Sequence, residues 1–310
     1  MTASFPKPLK KGDTIGIISP SSALNRDVFE KGVSFLEQNG YGVFVHPQND
    51  LQRGQLAGRD KEKVAALTQL FINPAIDGIV CACGGNGAIR LLKHMDFELI
   101  SKHPKTFVGY SDITILLQAL LHQSGFVTFH GPMIGSFGRD FDPRTAIDFF
   151  AQIEARMDRL EVPEVEVLRA GRAEGILIGG NMTMLQNLIS TPYDWDTQGV
   201  ILFIEDVDEV LYRIDRMLQH FQLSGKFKHI KAVLVGEMLN TPDGETAHMR
   251  PGERPYGYTI EQILRENIPE DIPLCMNFPC GHGKYISTLP VGSKAQLTLD
   301  NRGASLVFSR

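Results

Sequence analysis

The first half of the chain alternates short apolar runs with amphipathic stretches. Thr14-Ile15-Gly16-Ile17-Ile18 predicts a strand closed by the loop cluster Ser19-Pro20-Ser21-Ser22. Phe29, Val33 and Leu36 recur at helical spacing, and Asn39-Gly40 stops that helix. Tyr41 to Val45 reads as the next strand. Asp60 caps a helix over Lys61 to Phe71 that ends before Pro74. Ile76 to Cys83 is almost continuously apolar, as expected of a strand buried on both faces of a parallel sheet. Gly84-Gly85-Asn86-Gly87 then turns the chain into Ala88 to His94, and Thr106-Phe107-Val108 supplies another strand end.

Repeated strand–helix units of this length predict a doubly wound parallel sheet, Rossmann- or flavodoxin-like, whose ligands bind beyond the carboxyl ends of the strands. The turns at Ser19, Gly84 and Ser111 each follow a strand, so all three are expected on that one edge. Arg139 to Arg159 looks peripheral. Glu161, Pro163, Glu164, Glu166, Arg169 and Gly171 shift the composition toward that of a linker. The expected division is a domain over 1–160, a linker over 161–172 and a second domain over 173–310. The second half predicts strands at Gly175 to Asn181, Val200 to Glu205, Ala232 to Val235 and Ala295 to Leu299. Helices are expected from Met182, over Val210 to Leu223 and over Thr259 to Asn267, in a mixed α/β domain with a barrel-like sheet.

Two domains suit a chain of 310 residues. Its formal charge of −5, with 36 acidic against 31 basic residues and no basic block, argues against nucleic acid or an anionic membrane as partner. No apolar run approaches the roughly 18 residues of a membrane span, and the N-terminal residues lack the apolar core of a signal peptide. The expected location is the cytoplasm. The four cysteines fit no zinc spacing and are expected as free, buried thiols.

Candidate chemistry centres on Gly109-Tyr110-Ser111-Asp112-Ile113. A serine on a strand-to-helix turn has its hydroxyl lifted out of the sheet, and the next amide is free to face an anion. Such a serine can cap the helix or act as a nucleophile; the G-x-S-x-G spacing of a nucleophile elbow is incomplete here. A nucleophilic serine needs a base, and the base an orienting acid. His282 lies between glycines in Pro279-Cys280-Gly281-His282-Gly283, where the backbone can place an imidazole that a helix or strand could not. His130, in Phe129-His130-Gly131-Pro132, is expected to line a pocket. His46, His94, His103, His122, His220, His229 and His248 read as surface or capping residues. Glu205 follows the apolar run Ile201 to Ile204 and is either part of a solvated acidic turn or the group that orients the imidazole. The Gly84–Gly87 loop is neither a P-loop nor a dinucleotide fingerprint. It offers bare amides near Ser111, suited with that of Asp112 to an oxyanion hole.

Cys81-Ala82-Cys83-Gly84-Gly85-Asn86-Gly87-Ala88-Ile89-Arg90-Leu91-Leu92, Gly109 to Thr114, Thr128 to Met133, Gly179-Gly180-Asn181, Leu202 to Val207, Tyr212 to Leu218 and Gly281-His282 occur in that order. Together they resemble the LD-carboxypeptidases, the muramoyltetrapeptide carboxypeptidases of the S66 serine peptidases, from about Lys10 to Leu299. The resemblance implies a Ser111–His282–Glu205 triad with oxyanion donors at Gly85 and Asp112. It implies a cofactor- and metal-free cytoplasmic enzyme, commonly a homodimer, that removes the terminal D-alanine from the L,D-bond of recycled murein tetrapeptides. The chain departs from the family at Cys83, where an arginine is usual, and at Asn86, often a tyrosine. A carboxypeptidase must also bind a free carboxylate, for which Arg90, Arg59 and Arg213 are the candidates. Two alternatives remain. The same triad could cleave a peptidyl- or aminoacyl-nucleotide antibiotic, with Trp195 imitating a base-stacking loop, although Trp195 suits packing at a turn better. A non-catalytic small-molecule binding protein is the rival from another class.

Overall fold

The computed structural model describes residues 3–242 and 254–310; His248 lies outside them. The fold is mixed α/β and built on two sheets. The first holds β1 (Thr14–Ile18), β2 (Gly42–Val45), β3 (Gly78–Cys81), β4 (Thr106–Gly109) and β5 (Thr128–His130). These five pair in parallel in the order 2-1-3-4-5. Every residue of β3 and β4 is buried, which is why both read as unbroken apolar runs.

The second sheet contains β6 (Arg159–Val162), β7 (Glu166–Arg169), β8 (Gly171–Asn181), β9 (Val200–Val207), β10 (Ala232–Leu239) and β11 (Leu274–Phe278). A short strand, β12 (Leu289–Val291), follows, and β13 (Lys294–Asp300) and β14 (Gly303–Ser309) complete the chain. The order is 6-14-13-8-9-10-11-7, with parallel pairing confined to β8 through β11. β12 does not join this sheet. It pairs antiparallel with β5, so the C-terminal half supplies the sixth strand of the first sheet.

Two expectations are corrected here. The stretch 161–172, read as a linker, contributes to β6, β7 and β8 of the second sheet, and its Glu161, Glu166 and Arg169 lie on the edge strands β6 and β7. Arg139 to Arg159 is not peripheral. Its helix Pro143–Ile153 buries Phe149 and Phe150, and Phe149 packs edge-on against Phe137 with centroids 5.0 Å apart. The four cysteines are free, three of them buried and Cys83 half-buried. No helix among the described residues is long and apolar enough to cross a membrane.

Candidate active site

β4 ends at Gly109, Tyr110 is extended, and Ser111 takes φ 62° at the head of a short 3-10 turn. A serine in the left-handed region costs of order 1 kcal/mol and persists only where its surroundings impose it. Here they do. A Cβ on Gly109 would lie 2.6 Å from Ile113 Cγ2, so strand and turn meet too closely for any other residue. Ile113, which stands where the elbow motif would have its last glycine, packs over Gly109. A Cβ on Gly84 would lie 3.0 Å from Ser111 Cβ and Oγ, so the opposite loop also packs tightly against the serine.

The turns after β1, β3 and β4 interlock, as their shared edge predicts. Ser22 N–H donates to the Gly84 carbonyl (3.2 Å), and Ser22 Oγ accepts from Asn86 N–H (3.3 Å). The Asp112 carboxylate is buried and accepts from Ser21 Oγ at 2.5 Å and from Ala88 N–H at 2.8 Å, tying all three turns together. Gly85 sits at φ 107°, with its missing Cβ aimed 2.2 Å from Ser22 Oγ. The backbone N–H groups of Gly85 and Asp112 have no hydrogen-bond partner among the described residues. The tethering roles of Ser21 and Ser22 were missed in the sequence. Their only signal was that a serine-rich turn followed a strand destined for the same edge.

Glu205 lies within β9, not at its end, and is fully buried. Side chains alternate along a strand, so Asp206 points to the opposite face. There it accepts from Asn181 Nδ2 (3.0 Å) and Thr183 N–H (3.0 Å), holding the start of the helix Met182–Leu188. Glu205 Oε2 stands 2.8 Å from His282 Nδ1. A carboxylate can only accept, so Nδ1 carries the proton and Nε2 presents its lone pair. Burial disfavours the imidazolium, but the Glu205 hydrogen bond and charge outweigh it and hold His282 above its ordinary value of 6.5. The Tyr110 ring, from the residue before Ser111, lies 5.0 Å from that of His282.

His130 is not a pocket-lining residue. It is fully buried, and its Nε2 donates to the Cys280 carbonyl at 2.7 Å, because a carbonyl cannot donate. Burial pushes its pKa down to about 4, so it ties β5 to the His282 loop as a neutral ring. Arg90 is already engaged: its guanidinium grips Asp60, with Nη2–Oδ2 at 3.0 Å, on the exposed face of the turn Ala88–His94. Arg213 faces Glu209 at 3.6 Å, and Arg59 is exposed at the start of the helix Asp60–Ile72. Trp195 is buried against Phe221, its Nε1 donating to the Leu185 carbonyl at 3.1 Å, so it is not free to stack on a base.

Comparison with known proteins identifies the family of the chain. Residues 15–131 match the LD-carboxypeptidase N-terminal domain and residues 174–297 the LD-carboxypeptidase C-terminal domain. The probable murein peptide carboxypeptidase of Bacillus subtilis is 37% identical over 96% of this chain and 93% of its own. The muramoyltetrapeptide carboxypeptidase of Oxalobacter formigenes superposes with a TM-score of 0.83 at 32% identity, covering 96% of this chain and 99% of that one. The structure of MccF in complex with glutamyl sulfamoyl guanosine gives a TM-score of 0.87 at 25% identity, covering 100% and 99%. With both family domains matched in order, the chain belongs to the LD-carboxypeptidases of peptidase family S66 and is a carboxypeptidase.

Proposed function

We propose that this carboxypeptidase hydrolyses the L,D-peptide bond to the terminal D-alanine of murein tetrapeptides, in the cytoplasm and as a homodimer, through Ser111, His282 and Glu205. The observation that carries the reading is the His282–Glu205 pair, which leaves Nε2 unprotonated on a ring packed 5.0 Å from that of Tyr110, the neighbour of Ser111 in the chain.

In this reading Ser111 Oγ attacks the carbonyl carbon while His282 Nε2 takes its proton. The oxyanion is held by the amides of Gly85 and Asp112. The C–N bond breaks as His282 returns the proton to the departing D-alanine amine. Water, activated by the same imidazole, then hydrolyses the acyl-enzyme ester and restores Ser111. For the substrate carboxylate Arg139 is a candidate cation, because it is exposed and forms no ion pair among the described residues.

Cleavage of a peptidyl-nucleotide is the second reading, supported by the similarity to MccF. The burial of Trp195 removes the stacking residue that the sequence offered for it. The deciding experiment is mass-spectrometric detection of D-alanine released from murein tetrapeptide. Release should fall by roughly 10⁴-fold or more in Ser111→Ala. An intact enzyme that releases none, but cleaves a glutamyl-nucleotide, would replace the first reading with the second.

A further inference from the structure

β10 is irregular where it passes the His282 loop. Its pairing with β9 shifts between Val235 and Met238, and its pairing with β11 shifts between Leu234 and Gly236. Such an interruption re-aims side chains that a regular strand would send elsewhere. The residues inside it are Gly236 and Glu237. A Cβ on Gly236 would meet Cys280 Sγ at 2.8 Å and Glu205 Cβ at 2.9 Å, so the loop lies directly on the strand.

Glu237 lies against that loop on both sides of His282 and bonds it on one. Its carbonyl oxygen stands 3.0 Å from where a Cβ on Gly281 would be. Its carboxylate accepts the Gly283 N–H at 3.1 Å, and Oε1 stands 2.1 Å from the Cβ site of Gly283. The loop is tied at Cys280 by His130 and at Lys284 by Asp142 and Thr145, but the glycines beside His282 carry no side chains of their own. Glu237 makes no ion pair among the described residues, and burial pushes its carboxyl up from the ordinary range. A half-buried carboxylate with no cation is a costly way to bind one amide, unless the position of that amide matters.

We infer that Glu237 is a positioning residue, whose carboxylate fixes the backbone on the far side of His282 while Glu205 fixes the ring. This rests on the reading of His282 as the base. Glu205 holds the ring, His130 holds Cys280 and Asp142 holds Lys284, but none of these bonds reaches the residue that follows His282. The Glu237–Gly283 bond does.

The test compares Glu237→Ala, which deletes the acceptor, with Glu237→Gln, whose amide oxygen can still accept the Gly283 N–H. Misplacement of a reacting group by about 1 Å costs up to roughly 100-fold. Glu237→Ala should therefore lower kcat for D-alanine release by about 10- to 100-fold, with KM within about twofold. Glu237→Gln should stay within a few-fold of the parent. Gly283→Ala, which puts a methyl group where the carboxylate now lies, should reproduce the loss from the other partner. The His282 Nδ1 proton resonance, identified by its absence in His282→Gln, should persist in Glu237→Gln and shift or broaden in Glu237→Ala. That spectrum needs no substrate, so it tests the positioning even if the murein reading fails. An unchanged resonance or unchanged kcat in Glu237→Ala overturns the inference, as does a Glu237→Gln enzyme impaired as severely as Glu237→Ala.

Discussion

His282 and His130 flank one turn of chain and are held in opposite regimes. His130 is sealed in and kept neutral, whereas His282 keeps a carboxylate partner that favours its charged form. A general base must be neutral to accept a proton, so kcat/KM should fall as pH drops through the His282 pKa. Because Glu205 raises that pKa, the acid limb of the parent should inflect above 6.5. Glu205→Gln removes the charge. The limb should then move to lower pH, while the plateau drops by roughly 10²- to 10⁴-fold because the tautomer is no longer enforced. A pH–rate profile of the two enzymes checks both parts, and a limb that stays in place would remove Glu205 from the role. Of the candidate site, the Glu205–His282 pair and the Ser111 turn stand out in the sequence, each from its local pattern: a polar residue after an apolar run, or an imidazole between glycines. Glu237 was not, because nothing in Val235-Gly236-Glu237-Met238 announces that two ladders slip there and turn its side chain toward the loop.

At the scale of elements, the site is three turns and a knot. The first, third and fourth strands deliver Ser21, Gly84 and Ser111 to one edge, and Asp112 binds them together. Ser21→Ala would leave that buried carboxylate with only the Ala88 N–H. Loss of a bond to a buried charged acceptor costs about 1.5–3 kcal/mol, so the variant should unfold at correspondingly lower denaturant. Its kcat should also fall, because the Asp112 amide shares the displaced turn. Equilibrium unfolding and turnover measured on the same preparation check this, and a variant unchanged in both would show that the knot holds without Ser21. The strands that make this edge were legible because burial on both faces leaves an apolar run. β6 was not. Its Arg159-Leu160-Glu161-Val162 alternates exposed and buried, which in composition looks like a linker. β12 is three residues long and contains Pro290, which the edge of a sheet tolerates and a sequence pattern does not reveal.

At the scale of the whole molecule, the proposed mechanism depends on how the two sheets are joined, because Ser111 follows a strand of one and Glu205, which holds His282, lies in the other. Tethers in the segment once read as a linker would be the wrong place to perturb this, since β6 and β7 are the edge strands of the second sheet. The joints lie elsewhere. The helix Thr114–Ser124 follows the Ser111 turn directly and is buried along every residue from Thr114 to Leu121. Gln118 Nε2 donates to the Gly179 carbonyl at 2.8 Å, and Thr114 Oγ1 accepts from Asn181 N–H at 3.0 Å. These bonds reach the end of β8, beside Glu205 in register with Asn181. From the other side, the His282 loop is tied back by His130 on Cys280, by Asp142 N–H on the Lys284 carbonyl (2.9 Å) and by β12 on β5. Ser111 and His282 are thus braced from both directions, and the Gln118 bond is the one that can be cut with least loss of packing. Gln118→Met keeps the volume of the side chain but leaves the Gly179 carbonyl without its donor. It should lower kcat by about tenfold, with KM little changed and circular dichroism indistinguishable from the parent, because the substitution keeps the volume of the side chain. A variant that turns over at the parental rate would mean that β12 and the loop ties alone set the distance between nucleophile and base.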